Sequence, residues 1–276
     1  MNYGYLIENS FHYTADGLTS QPVKWLLLII MSMLQIIPVI GFVIFLIISN
    51  VRADTVMSKI PLLVGGLIGT IILMWIFNAF YQGFMVRVLH GDSTLPDFPD
   101  PLVLFIDGVK FTIIQLLYFM VPLIILLGSF FIAFTSSAYG GSMAETSAMM
   151  TMISTILAGM ILSLLFFIIF GVFWVIGIVR FARTGSIGQA FYFRDILGTI
   201  GQIGWLPYIA SLVILVIIII AYSLAMSILQ TILSILPIIG VIFILLLYLV
   251  QLILTPFVAI FVFRYFSLIY DSSATV

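Results

Sequence analysis

The chain contains no cysteine. Disulfides, thiolate metal sites and Cys nucleophiles are therefore excluded, and the redox compartment has no marker. Charge is nearly as scarce: nine Lys and Arg with ten Asp and Glu make up 7% of 276 residues, against about 25% in an ordinary soluble domain. The balance of -1 leaves no basic surplus, so nucleic acid is not an expected partner. Histidine occurs only at His12 and His90, neither with a second His at metal spacing, and no acidic cluster falls within an apolar run. What fills the chain instead is 64% hydrophobic residues, a composition that belongs in a bilayer.

A helix crosses the hydrocarbon core with about 20 mainly apolar residues. Runs of that length, charged only near their ends, predict six spans at 25–49, 61–88, 109–134, 151–180, 205–229 and 236–265. The expected fold is an all-α integral membrane protein, a single polytopic domain over 1–276. The first 24 residues hold Glu8, Asp16 and many aromatics rather than the basic start and apolar centre of a cleavable signal, so they are expected to stay on the protein. Lys24, Arg87, Lys110, Arg180, Arg183, Arg194 and Arg264 fall on one side of this scheme, and Arg52 and Lys59 on the other. By the positive-inside rule both termini are expected in the cytoplasm, with the chain in the cell membrane. The outer loops are then 50–60, the Met- and Ser-rich stretch 135–150, and a tight turn near Gln230.

An internal repeat is the strongest pattern. An aromatic closely followed by Asp occurs at Asp16, Asp107 and Asp195, and a long apolar run closes on Arg at Arg87, Arg180 and Arg264. Each Asp precedes its Arg by 71, 73 and 69 residues. Pro61 and Pro237 stand 26 and 27 residues before their Arg, where a first helical turn would accept proline; the second unit has no matching proline. These spacings predict three parallel two-helix repeats, approximately 11–90, 94–183 and 187–270, around an axis along the membrane normal. Each unit opens with a short amphipathic helix at the cytoplasmic interface, notably 98–111 and the Phe193, Ile196, Leu197, Ile200 stripe. The plainer reading makes these segments the first turns of the spans. The Arg and Asp rows are expected to meet between neighbouring units as an interfacial rim of ion pairs, with spare donors for an anion or lipid headgroup. The alternative leaves each Arg as a separate anchor.

Inside the spans the polar residues include Asn78, Gln82, Gln115 and Gln251, with no deep ionisable group. Such amides are commonly interhelical hydrogen-bonding groups, and would mark a transport path only if they shared one cavity. Gly65 with Gly69, and Gly198, Gly201 and Gly204, suggest close helix packing, while Pro38, Pro122 and Pro256 are expected to kink their spans. Met143, Met149, Met150 and Met152 form a soft cluster that lacks a neighbouring His, so packing is expected rather than metal.

The stretch GFMVRVLHGDSTLPDFPDPLVLFIDGVKF, Gly83 to Phe111, resembles the signature of a prokaryotic, largely archaeal membrane family called domain of unknown function 4013. Its marks are Gly and Arg at a helix end, a Leu-Pro-acid-aromatic turn, and Leu-Phe-x-Asp-Gly-x-Lys opening the next helix. RFARTGSIGQAFYFRDI, Arg180 to Ile196, resembles the second marked region of that family. The resemblance implies a multi-span membrane protein and no particular activity. A weaker likeness to the membrane part of some glycerophosphodiester phosphodiesterases carries no activity here, since no soluble catalytic stretch accompanies it.

Three function classes follow. The favoured one is a non-catalytic membrane module that organises lipid, or a membrane-protein partner, through its cytoplasmic face. A small-solute permease or channel is the alternative, and an intramembrane enzyme would need a constellation that spacing does not display. No cofactor is expected.

Overall fold

The computed structural model describes residues 1–49, 56–139, 145–236 and 238–275. Helix dominates them, and no strand occurs among the described residues. α1 (Tyr3–Ser20) precedes a first span made of α2 (Pro22–Leu34) and α3 (Ile37–Ile48). Single helices form the other spans: α4 (Val56–Val88), α5 (Pro101–Tyr139), α6 (Glu145–Thr184), then, after a 3-10 turn at Ile187–Phe191 and α7 (Phe193–Ile203), α8 (Trp205–Ser234) and α9 (Ile238–Asp271). All six spans are long and apolar enough to cross a membrane.

The helices break where the backbone has a reason to break. Gln21 and Pro22 separate α1 from α2, and Gly204, at φ +92°, ends α7 and starts α8. Between Pro101 and Phe111 the one such residue is Gly108, which is itself tightly packed. Asp100 caps the start through its carboxylate, accepting from Leu102 N at 2.8 Å. The expected separate helix at 98–111 is therefore absent, and most of that segment is the first turns of α5. The first span is interrupted at Gln35 and Ile36, just before Pro38, whose ring opposes the carbonyl four residues back. Pro122 and Pro256, by contrast, lie in uninterrupted helices. Near Pro256, Trp25 Nε1 donates to Ile253 O at 3.0 Å, supplying a donor where proline weakens the ladder.

Other expectations shift with the helix ends. α4 starts before Pro61, so this proline stands beyond the first turn; Pro237 lies outside the described residues. Much of the two outer loops is helical, since α4, α5 and α6 extend into them; Arg52 and Met143 lie outside the described residues. Lys59 Nζ donates to Ser49 O across the first of these connections.

Packing is concentrated at the end of the bundle where α4, α6 and α9 finish and touch one another pairwise. Phe84, Met85 and Val88 of α4, Ile176, Ile178 and Phe181 of α6, and Ile260, Tyr265 and Ile269 of α9 are buried there. Three buried phenols tie elements together: Tyr118 Oη donates to Ala190 O, Tyr208 Oη to Val172 O, and Tyr265 Oη to Ser211 O, at 2.5, 2.5 and 3.0 Å. Bonds of this kind contribute about 0.6 kcal/mol each in a membrane protein. Towards the other end the picture reverses. Residues 71–76 of α4 are all exposed, and six residues pass right round a helix with 3.6 per turn.

The close backbone approach is not at the glycines the sequence suggested. A Cβ at Gly65, Gly69, Gly198 or Gly201 would meet nothing within 4 Å. It would instead lie 1.9 Å from Leu104 O at Gly83 and 1.7 Å from Ala79 O at Gly108, so α4 and α5 touch main chain to main chain. The small residues responsible, Ala79 and Gly83, are four apart on one face of α4.

Candidate functional site

Most of the charged residues among those described collect at the packed end. Arg87, at the end of α4, pairs through Nη2 with Asp107 Oδ2 on α5 at 3.3 Å. Its Nε is buried without a partner. Arg180, near the end of α6, meets Asp195 of α7 at 2.6 Å and also donates to Gln189 Oε1 at 2.7 Å. Both pairs are partly buried, where a charge-assisted bond is worth more than on an open surface.

Arg264 breaks the pattern. It is 7% exposed, and its guanidinium lies 4.3 Å over the ring of Tyr13 on α1. Nη1 donates to Asp92 O at 2.8 Å, while Nε and Nη2 share Asn9 Oδ1 at 3.4 Å. The expected bridge to Asp16 is not made: α1 directs its buried face, Leu6, Ser10, Tyr13 and Thr14, inward and leaves Asp16 exposed. A desolvated guanidinium over an aromatic face gains about 2 kcal/mol, which takes the place of the carboxylate. Burial pushes the Tyr13 phenol up to about 12, against the pull of Arg264.

Arg183, not singled out from sequence, joins three helix ends. Nε donates to Leu89 O at 2.9 Å, and Nη2 to Ser267 Oγ at 2.9 Å and Asp271 Oδ1 at 2.8 Å. A usable signal existed in the register: His90, Arg183 and Ser267 each follow one of the three arginines by three residues. Lys24 was also passed over as a site residue; it bridges Asp97 at 2.6 Å and donates to Pro96 O at 3.1 Å, clamping the Leu-Pro-acid-aromatic turn. Burial, then the nearby Arg87 guanidinium, hold the His90 imidazole below its ordinary value.

Three cavities open along this rim, each lined by one of the three arginines. One of about 420 Å³ holds Arg87, His90 and Asp92, one of about 470 Å³ holds Arg180, Arg194 and Asp195, and one of about 520 Å³ holds Arg264, His12 and Asp16. The four amides within the spans are dispersed. Gln82 Nε2 reaches only Asn78 Oδ1, at 3.5 Å, whereas Gln115 lines a cavity between α5 and α6 and Gln251 a different one between α8 and α9. The α5–α6 cavity is mostly apolar, with Trp174 Nε1 buried and unpartnered at its edge. Met149, Met150 and Met152 are exposed on α6, and no group of three metal-binding His, Asp or Glu side chains occurs among the described residues.

Residues 67–231, more than half the chain, match the family model described as protein of unknown function (DUF4013). No curated protein and no solved structure matches the chain.

Proposed function

This chain belongs to the DUF4013 family, and we propose that it is a non-catalytic membrane module that gathers anionic lipid at a cytoplasmic rim. The observation that carries the reading is the distribution of cations: Arg87, Arg180, Arg183 and Arg264 all lie at the packed end, with three rim cavities among them. At Arg180 the carboxylate partner holds the guanidinium in place, and Arg194 in the same cavity adds a cation. A fixed guanidinium with donors left over suits a phosphate headgroup, and anionic lipid is abundant in the cytoplasmic leaflet.

The rim reads as the meeting of three parallel repeats. In support, α4, α6 and α9 touch pairwise, and each arginine reaches the unit that follows it: Arg87 to Asp107, Arg180 to Asp195, and Arg264 back to Asn9 and Tyr13. In this scheme α1 and α7 lie along the interface, with Phe193 and Leu197 of α7 exposed towards lipid. A membrane-protein partner would dock on the same face. The permease reading is weakened because Gln115 and Gln251 line separate cavities and Asn78 and Gln82 line neither.

The test is lipid retention. Protein extracted from a membrane of mixed neutral and anionic phospholipid should carry anionic lipid through purification, and Arg180→Gln together with Arg194→Gln should strip it. Equal retention of anionic lipid by the double variant and the wild type would sink the reading.

A further inference from the structure

Of the three rim arginines, Arg264 is the most deeply buried, yet among the described residues it forms no salt bridge. Among the described residues no carboxylate lies within 4.0 Å of its guanidinium. A buried charge without a partner is costly, and nature normally supplies one. Three of the five guanidinium N–H groups are engaged, two of them in long bonds to a single amide oxygen. The remaining two are free to bind something else.

Beside this guanidinium lies the cavity of about 520 Å³, bounded by α1, the turn around Ser93 and Thr94, and Arg264 itself. His12, Ser20 and Ser93 add polar groups to its wall. The turn is fixed from three directions: Tyr13 Oη donates to Thr94 O at 3.1 Å, Lys24 bridges Asp97, and Arg264 donates to Asp92 O. The cavity is thus built from anchored parts. Its volume falls within the range of small-ligand sites, large enough for a phosphate carrying a group such as glycerol. It lies beside the turn that follows α4, at the end of a candidate span.

We propose that this cavity binds a phosphate-bearing anion, with the Arg264 guanidinium as its principal ligand and the role that Asp107 and Asp195 play for Arg87 and Arg180. The inference deepens the lipid-gathering reading of the rim and rests on it. Asp16 works against the ligand. It lines the same cavity, exposed and unbridged, and repels an anion at the mouth. That opposition makes the proposal testable from both sides.

The full chain is placed in nanodiscs of neutral phosphatidylcholine and titrated with inorganic phosphate, and separately in nanodiscs containing phosphatidylglycerol with bound lipid counted by native mass spectrometry. Stabilisation by phosphate in the neutral discs identifies a free phosphate compound as the ligand class, and retention of phosphatidylglycerol without a phosphate response identifies a headgroup. In either arm Arg264→Gln should weaken binding about tenfold, and Asp16→Asn should tighten it about threefold. Asp16 is exposed, so the second variant folds whatever the first does. Wild-type binding by Arg264→Gln, or no tightening in Asp16→Asn, overturns the site. Should Arg180→Gln with Arg194→Gln still lose lipid in that case, the rim reading survives without this cavity. If neither arginine set affects binding, both fail.

Discussion

A Cβ on Gly91 would lie 2.1 Å from Nη2 of Arg183. The same glycine holds φ +87°, a conformation that side chains disfavour. One residue therefore turns the chain after α4 and clears the seat of the arginine that joins α4, α6 and α9.

Gly91→Ala is expected to cost about 2 kcal/mol or more, combining backbone strain with displacement of Arg183. Thermal unfolding in detergent should show a lowered midpoint. Adding Arg183→Ala should cost less than the sum of the two single changes, because both remove the same contact. Strict additivity would argue that Gly91 acts through its backbone alone.

The contrasting glycines make a paired test. Gly108→Leu drives a side chain into the main chain of α4 and should abolish recovery of monodisperse protein, whereas Gly65→Leu meets open space and should leave yield unchanged. Equal behaviour of the two variants would contradict the α4–α5 contact.

His90 makes stability depend on pH in a definite direction. Its folded pKa lies below the ordinary imidazole value of 6.5, so the unfolded chain binds the extra proton more readily. The contribution is complete above 6.5 and is lost as pH falls through that value towards the folded pKa. Between about pH 7.5 and about pH 5.5 the wild type should lose more stability than His90→Gln. Parallel profiles would show that the imidazole is not desolvated.

Orientation can be read by chemistry, since the chain brings no cysteine of its own. Ser142→Cys, at a position outside the described residues, should react with an impermeant thiol reagent added to intact cells. Ser186→Cys, exposed just after α6, should stay unlabelled until the cells are opened. The reverse pattern would place both termini outside.

The spans were legible because they depend on one property summed over many residues, the cost of charge in hydrocarbon, and no single contact can mask it. Arg87 and Asp107 were legible as partners because each recurs at a spacing that places it at a helix end. Arg264 was marked by the same spacing, but its partner was not: whether Asp16 or Tyr13 faces it depends on the rotation of α1, which the burial of Leu6, Ser10 and Thr14 decides. The segment at 98–111 carries an amphipathic stripe whether or not a break follows, so periodicity alone could not separate it from α5. Glycines failed for a related reason. Gly65 and Gly69 have the right spacing for contact, yet a helix face becomes an interface only when another helix lies against it, and at that height none lies against theirs.

The crowding of buried residues at one end, with residues 71–76 of α4 bare on every side, gives the molecule the mechanics of a tripod. Its hairpins are legs clamped at the charged end. From Ala79 to Ile60 a leg extends roughly 30 Å, so a tilt of about 5° at the clamp displaces its foot by about 3 Å. Tilting one hairpin is therefore expected to load the arginine contacts at the clamp, where Arg183 holds the ends of α4, α6 and α9 together.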